Sequence, residues 1–198
     1  MKNLFLALLL TLPLLSGCTK KENEIVIGEY DSLTGSDATF GLSTNKGVRL
    51  ALDEINAAGG VKGKKISLVT LDDQGKNEEA ASATTRLITQ NNVVAILGGV
   101  ASGRSKAAAP IAQSHGVPLV SPASTNPDVT KIGDYIFRVC FIDPFQGLVM
   151  AKFASENLKV KKAAILRDVK NDYSVGLADV FAAEFKKRGG EIVTDLSY

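Results

Sequence analysis

Up to residue 121, short apolar runs alternate with stretches of helical spacing. Residues 24–28, 66–71, 93–97 and 117–120 read as strands, and residues 43–57, 77–90 and 104–115 as helices. In the first helix Val48, Ala51, Leu52 and Ile55 recur at i, i+3, i+4 and i+7, one stripe facing a core. In the second, Ala80, Thr84, Leu87 and Ile88 share a face. Gly59-Gly60 supplies the left-handed stop that ends the first helix. The run from Val93 to Leu97 is apolar throughout, which predicts a strand covered on both faces. Few architectures tolerate such alternation. It predicts an α/β fold built on a doubly wound parallel sheet.

The pattern continues past a further extended run at 135–139. Asp143-Pro144 opens a helix, with Asp143 as N-cap, Pro144 at N1 and Gln146 at N3. Residues 163–166 form a strand, and 175–188 a helix with Leu177, Ala178, Phe181 and Phe185 on one face. Gly189-Gly190 stops that helix, and 191–198 begins another strand. About 58 residues after position 140 bury too little apolar surface to stand comfortably alone. The expected organisation is therefore a first lobe at 24–137, a hinge at 138–140, and an incomplete second α/β lobe at 141–198. The alternative is one continuous sheet.

The first residues read as an address. A basic start precedes a mostly apolar run at 4–15, whose twelve or so residues span about 18 Å, short of a ~30 Å hydrocarbon core. A secretory signal fits better than a membrane span. The run leads into Leu15-Ser16-Gly17-Cys18, which resembles the bacterial lipobox. That resemblance implies removal of residues 1–17, acylation of Cys18, and a tether at 18–23 holding the protein to the membrane on the exported side. An ordinary secretory signal with an incidental Cys18 is the alternative. Cys140 is then the only remaining thiol, read as a small buried apolar residue.

Charge and residue usage exclude several classes of function. With 23 Lys+Arg against 21 Asp+Glu, no basic excess speaks for nucleic-acid binding. Two Cys and one His give no metal cluster, so no metal or cofactor is expected. Gly98 to Ser105 approaches a phosphate-binding loop, but Arg104 stands where such a loop carries Lys. Asp72-Asp73 reads as a turn, and His115 as a helix-end residue with no nucleophile beside it. No catalytic residues are assigned.

Three loops fall at the carboxyl edge of the expected sheet, where open α/β folds bind ligands. They are Asp31-Ser32-Leu33-Thr34-Gly35 through Gly41, Gly98-Gly99-Val100-Ala101-Ser102-Gly103, and Ser121-Pro122-Ala123-Ser124-Thr125-Asn126. Together with the stretch 53–63, Phe137-Arg138-Val139 and 172–177, they strongly resemble the branched-chain amino-acid binding proteins. Those are type I periplasmic binding proteins, the extracytoplasmic receptors of ABC importers. The resemblance runs from about residue 24 to 198 in one register. It implies two lobes closing over an amino acid, and an importer permease as partner.

The resemblance also implies site residues. Ser102, at a strand-to-helix junction, takes the ligand carboxylate; a plain N-cap is the other reading of that serine. Ala123 and Thr125 match positions that hold the ammonium and carboxylate groups, and turn chemistry would equally place them. Phe40, in a polar loop, and Tyr173 match aromatic positions lining the pocket from either side, and core packing is their alternative. Relatives of the leucine-binding type often carry a disulfide where this chain has Gly75 and Ala101, so that staple is absent. Val100 and Ala101 give a small apolar wall. The expected function is amino-acid capture for an importer by lobe closure. Its rivals are a sensory receptor for amides, short peptides or organic acids, and a secreted α/β hydrolase.

Overall fold

The computed structural model describes residues 24–198. The leader at 1–17, Cys18 and the tether at 18–23 lie outside the described residues.

Strands β1 (Glu24–Asp31), β2 (Lys65–Asp72), β3 (Ile96–Gly98), β4 (Leu119–Ser121) and β5 (Ile136–Arg138) form one five-stranded sheet. Its order is β2-β1-β3-β4-β5, and all four pairings are parallel. The connecting helices are α1 (Ala38–Ala57), α2 (Asn77–Thr89) and α3 (Ser102–Ser114). The path from β1 to β2 runs one way along the sheet and the path from β2 to β3 runs back. Right-handed crossovers therefore put α1 on one face and α2 with α3 on the other. The sheet is doubly wound, as expected, and reverses its direction of growth between β1 and β3.

The core lies between the sheet and the α2–α3 pair. Leu87, Ile96, Ala108, Ala109, Ala112 and Leu119 are fully buried there. The small alanines of α3 let that helix sit close to the strands, and Leu87 fills the space over β1, where Gly28 has no side chain to oppose it. Gly98 is fixed by two constraints. Its φ is +138°, and a Cβ would stand 2.0 Å from the Tyr30 carbonyl oxygen. The turn out of β3 depends on that glycine.

After β5 the chain builds α4 (Asp143–Lys152), extended by a π-helical turn at Phe153–Asn157, then β6 (Lys162–Arg167), α5 (Asp172–Lys187) and β7 (Glu191–Ser197). β6 and β7 pair in parallel as a separate two-stranded sheet. α4 packs on α5, with Gly147 admitting Val180 so closely that a Cβ there would meet it at 2.5 Å.

Several expected boundaries move. β1 runs on to Asp31, because Glu29, Tyr30 and Asp31 are buried although two of them are acids. The third strand is Ile96–Gly98 and not 93–97; Val94 lies outside it, 58% exposed, so the run is not covered on both faces. α1 begins at Ala38, which puts Phe40 in a helical first turn and not in a polar loop. Asp143 is the first residue of α4 and gives no capping bond; the N-cap position falls on Ile142. Cys140 is only half-buried. His115 is an exposed C-cap residue whose Nδ1 sits 2.9 Å from the Ile111 carbonyl oxygen.

Candidate functional site

The β1–β3 reversal leaves a crevice beyond the carboxyl ends of the strands, since the loops leaving them diverge to opposite faces. A cavity of about 410 Å³ occupies it. From the five-stranded side it is lined by Asp37 and Phe40 before and on α1, by Val100, Ala101 and Ser102 at the start of α3, and by Ala123 and Thr125 after β4. Across it stand Phe141, Gln146 of α4, and Asn171 and Tyr173 at the start of α5. All five residues singled out from the sequence, Ser102, Ala123, Thr125, Phe40 and Tyr173, therefore line one cavity.

The floor is a helix terminus. Ser102 is the first residue of α3, and Ala101 before it is extended, with φ −94° and ψ 142°. The Arg104 and Ser105 N–H groups bond the Ala101 carbonyl, but those of Ser102 and Gly103 have no carbonyl one turn earlier to meet, so a positive end lies at the cavity without any formal charge. Ser102 is not the N-cap. Its hydroxyl instead accepts from the Asn126 N–H at 3.2 Å and so joins the third-strand loop to the fourth.

Two further devices fix the wall that carries Ala123 and Thr125. Ser121 and Ser124 both donate to the Gly99 carbonyl, at 2.8 and 2.9 Å, and Ser105 sits 2.8 Å from Ser124. Arg138 then grips the loop from the end of β5. Its Nη1 donates to the carbonyls of Ser124 and Asn126, and its Nη2 to Pro127 at 3.0 Å and Thr130 Oγ1 at 2.6 Å. Thr125 Oγ1 and the Asp143 carboxylate, both shut from solvent, lie close together without a well-formed hydrogen bond. Burial pushes the Asp143 carboxyl above the usual carboxylate range.

The opposite wall is held by its own contacts. Asn171 caps α5 by accepting from the Tyr173 and Ser174 N–H groups. Gln146 Nε2 donates to the Tyr173 hydroxyl at 3.0 Å. The two walls meet where Lys106 Nζ reaches Asp172 Oδ1 at 2.6 Å and Asn126 Nδ2 donates to the Asp172 carbonyl at 3.2 Å.

Behind the floor lies a cluster of buried acids. Asp73 accepts from the Ser32 hydroxyl at 2.7 Å, and the more open Asp72 beside the cluster takes the Leu33 and Thr34 N–H groups, so both brace the loop after β1 as turn residues. Asp31 is fully buried; loss of hydration pushes its carboxyl up to about 7, with Asp73 and Glu29 adding repulsion. Among the described residues no group of three or more His, Cys, Asp or Glu side chains is placed to hold a metal ion. A second depression, of about 370 Å³, lies outside the contact between the walls, and its charges largely satisfy one another in pairs such as Lys106–Asp172 and Asp179–Arg167.

Sequence reasoning missed Asp37, Phe141, Gln146 and Asn171 as lining residues and Arg138 as the clamp. Asn171 carried a usable signal, standing directly before a helical stretch as N-caps do.

A doubly wound parallel sheet facing a second α/β unit across a polar-floored cavity is the architecture of a type I periplasmic binding protein. Residues 24–198 match the periplasmic binding protein family, and the chain belongs to it. It is 37% identical over 167 residues to an amino acid binding protein of Pseudomonas aeruginosa, covering 84% of this chain and 44% of that one. It is 36% identical over 176 residues to Leu/Ile/Val-binding protein homolog 3 of Brucella melitensis, covering 88% and 46%. Among solved structures, the branched-chain amino acid transporter substrate binding protein LivJ of Streptococcus pneumoniae, in complex with isoleucine, superposes with a TM-score of 0.83 at 43% identity, covering 88% of this chain and 49% of that one. A solute binding protein from Rhodopseudomonas palustris in complex with 3,4-dihydroxybenzoic acid gives a TM-score of 0.80 at 26% identity, covering 89% and 47%. The chain spans about half the length of the relatives it matches.

Proposed function

We propose that this protein is the extracytoplasmic receptor of an ABC importer and captures an amino acid with an aliphatic side chain. The observation that carries the reading is the convergence of Ser102, Ala123, Thr125, Phe40 and Tyr173 on one cavity at the terminus of α3. In this reading the ligand carboxylate lies against the α3 N–H groups, with the Ser102 hydroxyl and the Thr125 N–H beside it. The Ala123 carbonyl accepts from the ammonium group. Phe40, Val100 and Tyr173 enclose the side chain, whose burial favours an apolar ligand. The names and bound ligand of the relatives support a branched-chain amino acid.

The same reading assigns lobes to 24–137 and 141–198, with the hinge at 138–140. A ligand touching both walls stabilises the closed arrangement by the contacts it gains there. Residues 1–17 act as a signal, and acylated Cys18 anchors the receptor to the membrane, beside the permease it serves. The protein performs no catalysis in this scheme; it binds and releases.

A second reading has one observation behind it. The dihydroxybenzoate-bound relative binds a carboxylate that has no ammonium group, and a helix terminus would suit such an acid equally well. Calorimetric titration of the intact protein with an amino-acid panel and with benzoates separates the two. Binding of leucine, isoleucine or valine supports the amino-acid reading; binding of benzoates alone would replace it.

A further inference from the structure

Among the described residues lining the cavity, Asp37 alone carries a formal charge, and it is ion-paired to Arg104. Arg104 does not line the cavity. It is the third residue of α3, 7% exposed, and its guanidinium reaches forward from behind the wall to the Asp37 carboxylate. The placement is costly, because burying a guanidinium forfeits hydration and Arg104 Nε finds no partner. Burial accordingly shifts the Arg104 pKa downward.

The position of Asp37 gives the pair a purpose. A helix terminus attracts an anion through partial charges of about half a unit. A bare carboxylate beside it would oppose that attraction and would draw cations into the cavity instead. We propose that Arg104 is a specificity-determining residue: by neutralising Asp37 it keeps the cavity wall free of net charge, so that the site takes amino acids with uncharged side chains and turns away cationic ones. This inference rests on the amino-acid reading of the site and assigns to one residue its discrimination against charged side chains.

Leucine and lysine titrated into the intact protein test it, using Arg104→Met, Arg104→Lys and the double variant Asp37→Asn/Arg104→Met. The unaltered protein prefers leucine. Arg104→Met lowers the leucine-over-lysine affinity ratio at least about tenfold, while Arg104→Lys and the double variant keep it close to the original. An unchanged ratio in Arg104→Met, or a ratio that the double variant does not restore, would overturn the assignment. If Arg104→Met does not fold, as circular dichroism would reveal, Asp37→Asn decides. It leaves a positive wall and raises the affinity for glutamate relative to leucine; no change in that ratio would overturn the assignment. Failure of the unaltered protein to bind any amino acid would instead overturn the reading of the site itself.

Discussion

Arg138 donates to the main-chain carbonyl of Asn126 at 2.7 Å, so the last residue of β5 holds the loop that presents Thr125 to the cavity. Four acceptors share that guanidinium, a fork that one ammonium group cannot reproduce. Replacing Arg138 by Met strands three carbonyls and a hydroxyl in a partly buried setting. We expect a loss of roughly 2–4 kcal/mol in unfolding free energy by denaturant titration, with Arg138→Lys recovering only part of it.

Ser102 offers a narrower test. Its hydroxyl accepts from the Asn126 N–H, and the residue lines the cavity. Ser102→Ala removes one hydrogen-bonding group from the proposed carboxylate site and leaves the helix terminus in place. Amino-acid affinity should fall about tenfold, the worth of a single bond to a charged group. Unaltered affinity would place the carboxylate elsewhere.

Lys106 and Asp172 join the two walls at 2.6 Å, each about one-third exposed. An exposed pair of this kind contributes no more than about 1 kcal/mol and weakens with salt. Asp172→Asn should therefore weaken ligand affinity several-fold at low ionic strength, and the difference from the unaltered protein should shrink in 1 M salt. Equal loss at both ionic strengths would show that the pair does not act through charge.

Asp31 gives the fold a pH dependence. Its carboxyl is pushed up to about 7 by burial, well above its value in an unfolded chain. The native state thus holds this proton more tightly than the unfolded state does. Stability from that source is fully present below the unfolded carboxylate range and is lost as pH rises toward 7. Asp73 and Asp143 are raised as well and act in the same direction. Melting temperature should fall between pH 5 and 7.5, and Asp31→Asn should reduce the slope without abolishing it.

The sheet was legible because strands such as 66–71 and helices such as 77–90 repeat apolar residues at clear periods. The residues lining the candidate site were legible through their loops, whose order along the chain reproduces a family pattern. What escaped was set by tertiary burial. Glu29 and Asp31 look like loop residues, yet they continue β1 because Asn45 and Thr70 bond Glu29 and the Ser32 N–H bonds Asp31. Val94 looks like core, yet it precedes the short strand and faces outward. Gln146 read as a capping residue, but its amide turns to the Tyr173 hydroxyl, 27 positions away. Neither Arg138 nor Asp37 shows its partner in local sequence, since each is paired across the fold.

In the proposed function, uncharged dipoles at the start of α3 receive the ligand's carboxylate. A crystal structure of the intact protein grown with leucine or isoleucine tests this directly. The ligand is expected between the two walls, its carboxylate within hydrogen-bonding distance of the Ser102 hydroxyl and the first N–H groups of α3. A ligand bound with its carboxylate turned away from that terminus, or seated outside the cavity, would contradict it.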